Sequence, residues 1–559
     1  MNGTVPGAIL TPYPTTQAIS IEWPITGDDN LNGVVSVRYR RHQHGGWKTG
    51  FPLRRIPAGQ NFGDEGYAGG TYDGSWPNEH SGSLFDLEPG TQYEIELTLT
   101  DPDGGSVRRT ITVSTRPIPV TPRDAVLRRV TPATLKNELN SAKPGDLFWL
   151  APGTYPKFAL KKSGTPGHPI VLRGAWADGV VIDGDVDLTS LGYVHLENLT
   201  VKGSVRLEGS SNMVVRETKV RTTGDGITFL VDQQGHVPEN NYIVDNDLVG
   251  AAPWVNEQLS DSGYDNGEGI RVTGPGHVVC FNRVKAFRDN ISLMEDSQAY
   301  EQTSIDICNN YIEEATDDAI EADSAMGNVR VMRNYITRSF TGLSSQPNLG
   351  GPTYYIRNVM YDIIYGPFKL HNGTVGDLAL HNTVVKSGDA FRNVSGGKLW
   401  SRAFFRNNIL IGGVGTGEFG PDGYTNGTGL IFNWATPDLA TSSFDYDGLG
   451  SIGTGIFKGV MGTVTFSSLA ELQANTTEVH AVQLDLSAFA APVVFPEHQF
   501  DVSGDADLRL APRGPAVDKG IALPGINDWY SGAAPDLGAY EVGAPVPTYG
   551  PRAACHHHF

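Results

Sequence analysis

The sequence predicts an all-β protein, a small β-sandwich followed by a long solenoid of short stacked strands. Three observations predict it. A unit of strand, Asn-bearing corner and second strand recurs through the middle of the chain. Gly (68) and Pro (35) are abundant and Met (7) is scarce, the composition of many short strands joined by tight corners. The first 115 residues instead carry longer runs that alternate apolar and polar, the pattern of strands with one buried face. At 559 residues the chain exceeds one ordinary domain of ~150, so several domains or a repeat architecture is expected.

The net charge of −20 excludes nucleic acid and anionic membrane surfaces as partners, since both need a basic face. It leaves room for an anionic polysaccharide held in a locally basic cleft. No apolar stretch reaches transmembrane length. Met1-Asn2-Gly3 does not open a basic-then-apolar export signal, so such a signal is removed or absent, and a secreted or cell-surface location is expected. Three cysteines are no disulfide framework. Cys280 and Cys308 are expected on adjacent rungs, as a thiol pair in the core more readily than as a disulfide. Cys555-His556-His557-His558-Phe559 reads as a tag remnant or tail rather than a metal site.

In the front part, Ile19-Ser20-Ile21-Glu22-Trp23 and Val35-Ser36-Val37-Arg38-Tyr39-Arg40 alternate as half-buried strands. Leu87-Glu88-Pro89-Gly90-Thr91-Gln92-Tyr93-Glu94-Ile95-Glu96-Leu97 then turns into a strand, and a last strand is expected at 108–114. This stretch resembles the fibronectin type III family, whose core aromatics Trp23, Tyr39 and Tyr93 match. The resemblance implies a spacer or weak binder over residues 1–115, with no catalytic group. Residues 116–123 are a stiff Pro-rich linker. Residues 124–542 are assigned to the solenoid with its cap and closing segment, and 543–559 to a tail.

The solenoid opens with a short amphipathic helix. Thr131-Pro132 offers an N-cap with Pro at the first helical position, and Leu135 and Leu139 share one face. Such a helix closes the open end of a stack of strands. Leu150-Ala151-Pro152-Gly153-Thr154-Tyr155 and Ser163-Gly164-Thr165-Pro166-Gly167-His168-Pro169 resemble the opening rungs of the pectate lyase superfamily. Corner residues Asn282, Asn310, Asn334, Asn358, Asn382 and Asn407 follow at spacings of 28, 24, 24, 24 and 25, with Asn198 and Asn246 in the same local pattern. Stacked asparagines hydrogen-bond along a ladder. The repeat resembles the right-handed parallel β-helix over roughly residues 125–412. Longer spacings mark two excursions, 252–267 and 295–303, that wall a groove in which Trp254, Tyr264 and Tyr300 either stack on sugar rings or pack the loops.

The second strands align on an inward apolar residue, as Asp289-Asn290-Ile291-Ser292, Asp318-Ala319-Ile320-Glu321, Thr341-Gly342-Leu343-Ser344, Gly366-Pro367-Phe368-Lys369 and Asp389-Ala390-Phe391-Arg392. Side chains alternate along a strand, so Ser292 and Met294, Glu321 and Asp323, Ser344 and Gln346, Lys369 and His371, and Arg392 point outward. Asp289 and Asp318 stack at the head of these strands with Asp317 beside them. Three or four acids at one corner repel one another and cost stability unless used.

This order resembles the polygalacturonase family, in which Asp-Gly-Ile, Asp-Asp, Gly-His-Gly and Arg-Ile-Lys rungs follow one another. Asp289-Asn290-Ile291 and Asp317-Asp318-Ala319-Ile320 match the first two. Thr341 stands where the His belongs, and Lys369-Leu370-His371 where Arg-Ile-Lys belongs. The resemblance implies a glycoside hydrolase acting on a polysaccharide without a cofactor. Asp289, Asp317 and Asp318 supply the acid and base, with Glu321 and Asp323 as substitutes. Arg271, Gln346, Lys369, His371, Arg392, Trp254 and Tyr300 bind substrate. The rival reading is a polysaccharide lyase or uronate epimerase. There Lys369, His371 and Arg392 supply base and carboxylate clamp, and the acids hold Ca²⁺. A third is a glycan-binding adhesin. After Gly413 the period fades. The stretch from Asp507-Leu508-Arg509-Leu510 to Pro535-Asp536-Leu537-Gly538 resembles the closing segment of secreted β-helix proteins and is expected to cover the last rung. Asp518, Asp528 and Asp536 read as turn acids there.

Overall fold

The computed structural model describes residues 1–61, 74–295, 298–393, 395–452, 457–502 and 504–553. The Cys555-to-His558 reading lies outside them. The front part is an antiparallel sandwich of strands in the order Thr4–Pro6, Ile19–Gly27, Glu79–Leu84, Lys48–Ile56, Val34–Arg41, Gln92–Thr100 and Val107–Ser114. The alternation read from the sequence is the burial pattern: Ile19, Ile21, Trp23, Val35, Val37, Tyr39, Ile95 and Leu97 form its core. The Tyr93 hydroxyl accepts the Glu88 amide hydrogen at 2.9 Å, which fastens the turn to the strand it feeds.

The rest is a right-handed parallel β-helix. One parallel sheet of 13 strands runs from Val126–Val130 to Ser443–Asp445, and a second of 17 from Gly153–Ala159 to Val482–Gln483. In the early coils the second sheet is broken into short pieces. In the later ones it is fused into the long strands Tyr311–Glu321, Tyr335–Ser345 and Val359–Leu370. The bore is filled by buried aliphatic and aromatic side chains, Ile291, Ile320, Leu343 and Phe368 among them.

The first end is closed by the helix Leu135–Asn140, whose Leu135 and Leu139 are buried. It starts three residues later than Thr131-Pro132 suggests, with Thr134 at the N-cap. The Thr131 carbonyl is taken by a turn to Thr134 (3.0 Å) before the helix begins. The last coil is covered by a helix the sequence reading did not identify, Leu469–Asn475, capped by Ser468 and burying Leu472.

The corner asparagines form a continuous ladder. The backbone N–H of Asn246, Asn282, Asn310, Asn334 and Asn358 each donates to the next asparagine's Oδ1 at 2.8–3.1 Å. Each Nδ2 reaches back to a strand carbonyl of the preceding coil, as Asn334 does to Ile307 at 3.0 Å. The ladder continues from Asn382 to Asn408 and ends on Asp447. Asn407 is therefore a correction. It occupies the position before the ladder, at φ 62°, and binds Ile521 through its side chain. Asn198, at φ 57°, is likewise at that preceding position and bonds the Gly174 carbonyl. The left-handed corner residue favours Asn as the ladder position does, so composition alone does not separate the two.

Cys280 and Cys308 are paired across adjacent coils and form a disulfide, not a thiol pair. They lie on the outer face of the 13-stranded sheet, in an apolar cluster with Phe51, Phe85 and Tyr354 that joins it to the sandwich. Arg330 crosses the same interface. It pairs with Asp306 (2.5 Å) and donates to the Ser20 and Ser83 hydroxyls (both 2.9 Å).

The closing segment does not cover the last rung. It runs back along the corner line: Gly538 N–H donates to Asn407 O, Ala539 N–H to the Thr383 hydroxyl, Gly550 N–H to Asn309 O, and Arg552 pairs with Asp245. Asp518, Asp528 and Asp536 accept backbone amides there, as turn acids do. Tyr549, within the segment read as a tail, packs on Tyr335.

Candidate functional site

Strand register brings four acids into one stack. Ile227, Ile270, Ile291 and Ile320 are successive partners in the 17-stranded sheet. Two residues ahead of each stand Asp225, Glu268, Asp289 and Asp318. Asp225 Oδ1 accepts the Glu268 amide hydrogen at 3.0 Å, and Asp289 Oδ1 accepts that of Asp318 at 2.8 Å. Asp289, Asp317 and Asp318 present oxygens that all lie within 4.8 Å of one another. One residue beyond the isoleucines runs a second row, Arg271, Ser292, Glu321, Ser344 and Lys369, in the register expected from the sequence.

These rows are not an open charged face, as outward alternation alone suggests. Asp318 is fully buried and Asp289 and Asp317 are each 5% exposed. Their neighbours supply the compensation. Lys369 Nζ pairs with Asp318 Oδ2 at 2.8 Å. Arg288 stands 3.7 Å from Asp289 and 3.6 Å from Asp317, and also binds Asp265 at 2.7 Å. Arg271 pairs with Asp225 at 3.1 Å and Glu268 at 3.4 Å. Ser292 donates to Glu321, and Ser344 donates to Asp323 at 2.8 Å.

Burial disfavours the charged form of each acid, and crowding adds to it. Burial, then the Asp318 and Glu268 charges, pushes Asp289 up to about 8, against the pull of Arg288. Burial and Asp318 push Asp317 well above the usual carboxylate range. Glu321 and Asp323 rise for the same first reason, with Asp289 and Glu295 as their strongest carboxylate neighbours. Lys369 is the reverse case. Burial works against its ammonium, but Asp318, Asp317, Asp323 and Glu321 outweigh it and hold its pKa well above the ordinary lysine value. The cluster thus combines protonated carboxyls with an ion-paired carboxylate. Its three close carboxylate oxygens also match what a hard divalent cation such as Ca²⁺ takes.

The remaining expected residues divide. Gln346 donates to Glu295 at 3.2 Å, on the row of Asp323. His371 packs against Gly396, where an added Cβ would fall 2.5 Å from its ring nitrogen. Phe391 does not take the rung position after Phe368. Asn393 does, while Phe391 and Arg392 pair with another sheet. The Arg392 guanidinium lies over the Tyr365 ring at 5.0 Å. Trp254 is a packing residue. It lies against an apolar cluster of Leu259, Phe340, Ile364 and Phe419, with the Phe500 ring tilted against it at 5.6 Å. Tyr300 is half-buried and held through its backbone to Gly274 and Thr273.

The sequence reading missed Asp225, Glu268 and Arg288, and the packing of Tyr365 and Tyr424 on the buried Phe340. Tyr365 and Tyr424 lie 4.9 Å apart, and Tyr424 comes from the hairpin Glu418–Phe419 with Tyr424–Thr425. A signal for the acids exists. Asp225-Gly226-Ile227, Glu268-Gly269-Ile270, Asp289-Asn290-Ile291 and Asp318-Ala319-Ile320 repeat one pattern of acid, small residue and isoleucine. Loops of unequal length separate them, which hides the period.

No protein-family description matches this chain, and no curated protein sequence matches it. Among solved structures it is similar to the family 6 alginate lyase AlyGC, at 16% identity and TM-score 0.33 over 62% of this chain and 56% of that one. It is also similar to a family 6 polysaccharide lyase from Pseudopedobacter saltans, at 12% identity and TM-score 0.36 over 64% and 91%. A third is the Yersinia enterocolitica family 28 exopolygalacturonase, at 12% identity and TM-score 0.28 over 80% and 91%. The matched region spans little more than half the length of the alginate lyase. Among the described residues no helix is long and apolar enough to cross a membrane.

Proposed function

We propose that this chain is a polysaccharide-acting enzyme, and specifically a glycoside hydrolase working through the acid cluster. One observation carries the reading: Asp289, held protonated up to about pH 8, lies beside Asp318, whose carboxylate is paired with Lys369. Glycoside cleavage needs that combination, one carboxyl to protonate the departing oxygen and one carboxylate to attack the sugar or activate water. Asp289 is the proton donor. Asp318 is the ionised partner, with Asp317 beside both. Arg392 on Tyr365 is placed to take a carboxylate or hydroxyls of a neighbouring sugar.

The lyase reading has one observation in its favour, the three carboxylate oxygens within 4.8 Å. With a divalent cation there, Asp289, Asp317 and Asp318 would hold it and the ion would neutralise a uronate carboxylate. Against it, a lyase base must be able to shed its proton, and the surrounding acids keep Lys369 protonated.

Product analysis after incubation with a panel of neutral and uronate polysaccharides tests the proposal. New reducing ends without ultraviolet absorbance, abolished by Asp289→Asn and by Asp318→Asn, are expected. Products carrying a conjugated double bond, dependent on Lys369 and lost to a chelator, would instead establish the lyase. No product from any glycan would leave the binding reading in place.

A further inference from the structure

An open cavity lies away from the acid cluster, where the C-terminal segment runs back along the corner line. Its volume is about 660 Å³, and it is lined in part by Arg333, Arg357, Arg509, Trp529 and Glu541. Arg333 and Arg357 are successive left-handed corner residues, at φ 53° and 55°, so their side chains leave adjacent coils side by side. Arg357 precedes the strand Val359–Leu370, and Lys369 stands near its far end. The length of that strand separates the cavity from the acids.

The cations lining this cavity are not equivalent. Arg333 is engaged by Asp86 of the sandwich at 2.7 and 3.1 Å, and Arg509 by Asp507 at 2.5 Å. Arg357 is 3% exposed, and only its Nη1 is bonded, to the Ala539 carbonyl at 3.1 Å. Its Nε and Nη2 are buried without a hydrogen-bond partner. Glu541 does not supply one; its two oxygens bond instead the Ser531 and Asp536 amides at 2.9 and 3.0 Å. Trp529 covers one face of the guanidinium at 4.4 Å. A ring on the face leaves the in-plane N–H groups unsatisfied, since a π face attracts the cation as a whole. Nε and Nη2 are the two donors on one edge of the guanidinium, the fork that receives a carboxylate side-on. Trp529 is itself 48% exposed, which leaves apolar ring surface open to a sugar.

We infer that Arg357 and Trp529 form a second carbohydrate site that takes the carboxylate of a uronic-acid residue on the Arg357 fork and its ring on Trp529. The choice of a uronate among carboxylates rests on the polysaccharide reading above, whereas the fork does not. Such a site holds a polymer to the enzyme away from the place of cleavage, and its contribution is to affinity.

Calorimetric titration of the full chain with galacturonate, glucuronate and mannuronate trimers, with maltotriose as the neutral control, tests this. The measurement reads binding alone, so it stands whether or not the acid cluster turns out to be catalytic. Asp289→Asn is the background of every sample, and chromatography of the titrated trimer checks that no turnover contributes to the heat. At least one uronate trimer is expected to bind and to quench tryptophan fluorescence in a way that Trp529→Phe removes. Arg357→Met and Arg357→Lys should each weaken that binding at least about tenfold, the lysine variant because a point charge does not replace the fork. Unchanged thermal melting of Arg357→Lys and Trp529→Phe would show that the loss is not unfolding. Equal affinity in the Arg357 variants, equal affinity for maltotriose, or no binding by any uronate trimer would each overturn the site.

Discussion

Two stacks run along the same coils at the same spacing, one of asparagines at a corner and one of carboxylates at the head of the second sheet. The asparagine stack is self-sufficient. Each side chain is donor and acceptor at once: Asn334 accepts from Asn310 and donates to Ile307 O and to Asn358. Repetition adds bonds without adding charge, and the ladder is fully buried. A carboxylate only accepts. Asp225 and Asp289 each receive the next coil's amide, but every added rung brings another charge that must be paired or neutralised. The acid stack therefore draws in Arg271, Arg288 and Lys369 and still keeps protons that carboxyls in water would lose. Each rung of the first stack adds stability, whereas each rung of the second costs it, a cost that the proposed catalytic role would explain.

Three experiments break or sharpen that contrast. The largest effect is on catalysis. Asp318→Asn and Asp289→Asn are each expected to lower turnover by about 10²–10⁴-fold, the usual worth of a positioned acid or base. Melting temperature should hold or rise for Asp289→Asn, which removes a carboxyl whose charge burial opposes, and fall for Asp318→Asn, which leaves Lys369 buried without its partner. A fall in stability for Asp289→Asn matching that of an asparagine-ladder variant would erase the distinction between the stacks. Next in size, Asn334→Ala leaves the Asn310 amide and the Ile307 carbonyl buried and unpaired. It should cost about 2–6 kcal/mol, at 1–3 for each orphaned group, in chemical denaturation, with turnover per folded molecule unchanged. Asn407→Ala, one residue from the ladder proper, should cost less, about 1–2 kcal/mol. That loss should show as faster proteolysis of the segment that Asn407 ties through Ile521.

The smallest effect, read per pH unit, is on pH dependence, at most about 1.4 kcal/mol per unit for one group. A carboxyl whose folded pKa is raised binds its proton more tightly folded than unfolded, so it favours the fold at low pH, and that advantage is lost as pH rises through the folded value. For Asp289 the window runs from the ordinary carboxyl range near 4 to about 8. Melting temperature should decline across it, and Asp289→Asn should flatten the decline. If Asp289 is the proton donor, activity should fall along the same alkaline limb. A wild-type melting curve indifferent to pH between those values would contradict the raised pKa.

Much of this was legible before any coordinates. Six Asn corners share a near-constant period, so the coil length and the register of Ile291, Ile320, Leu343 and Phe368 follow from the sequence alone, and with them the stacking of Asp289 on Asp318. The errors came where two neighbouring positions favour the same residue, as with Asn407 and Asn408, or where loops break the count, as with Glu268. The step from Phe368 to Phe391 failed because the chain bulges there and Asn393 takes the rung.

The sequence by itself determined the repeat, the inward hydrophobic line and the order in which charged residues pass along the coils, because a strand's two-residue alternation and a constant coil length are local properties. Tertiary structure alone decided the burial of the acids, the salt bridge from Lys369 to Asp318 and the unfilled fork of Arg357 under Trp529. Those depend on coils and segments distant in the sequence packing together, and whether a charge is stable, neutralised or available is set by what covers it.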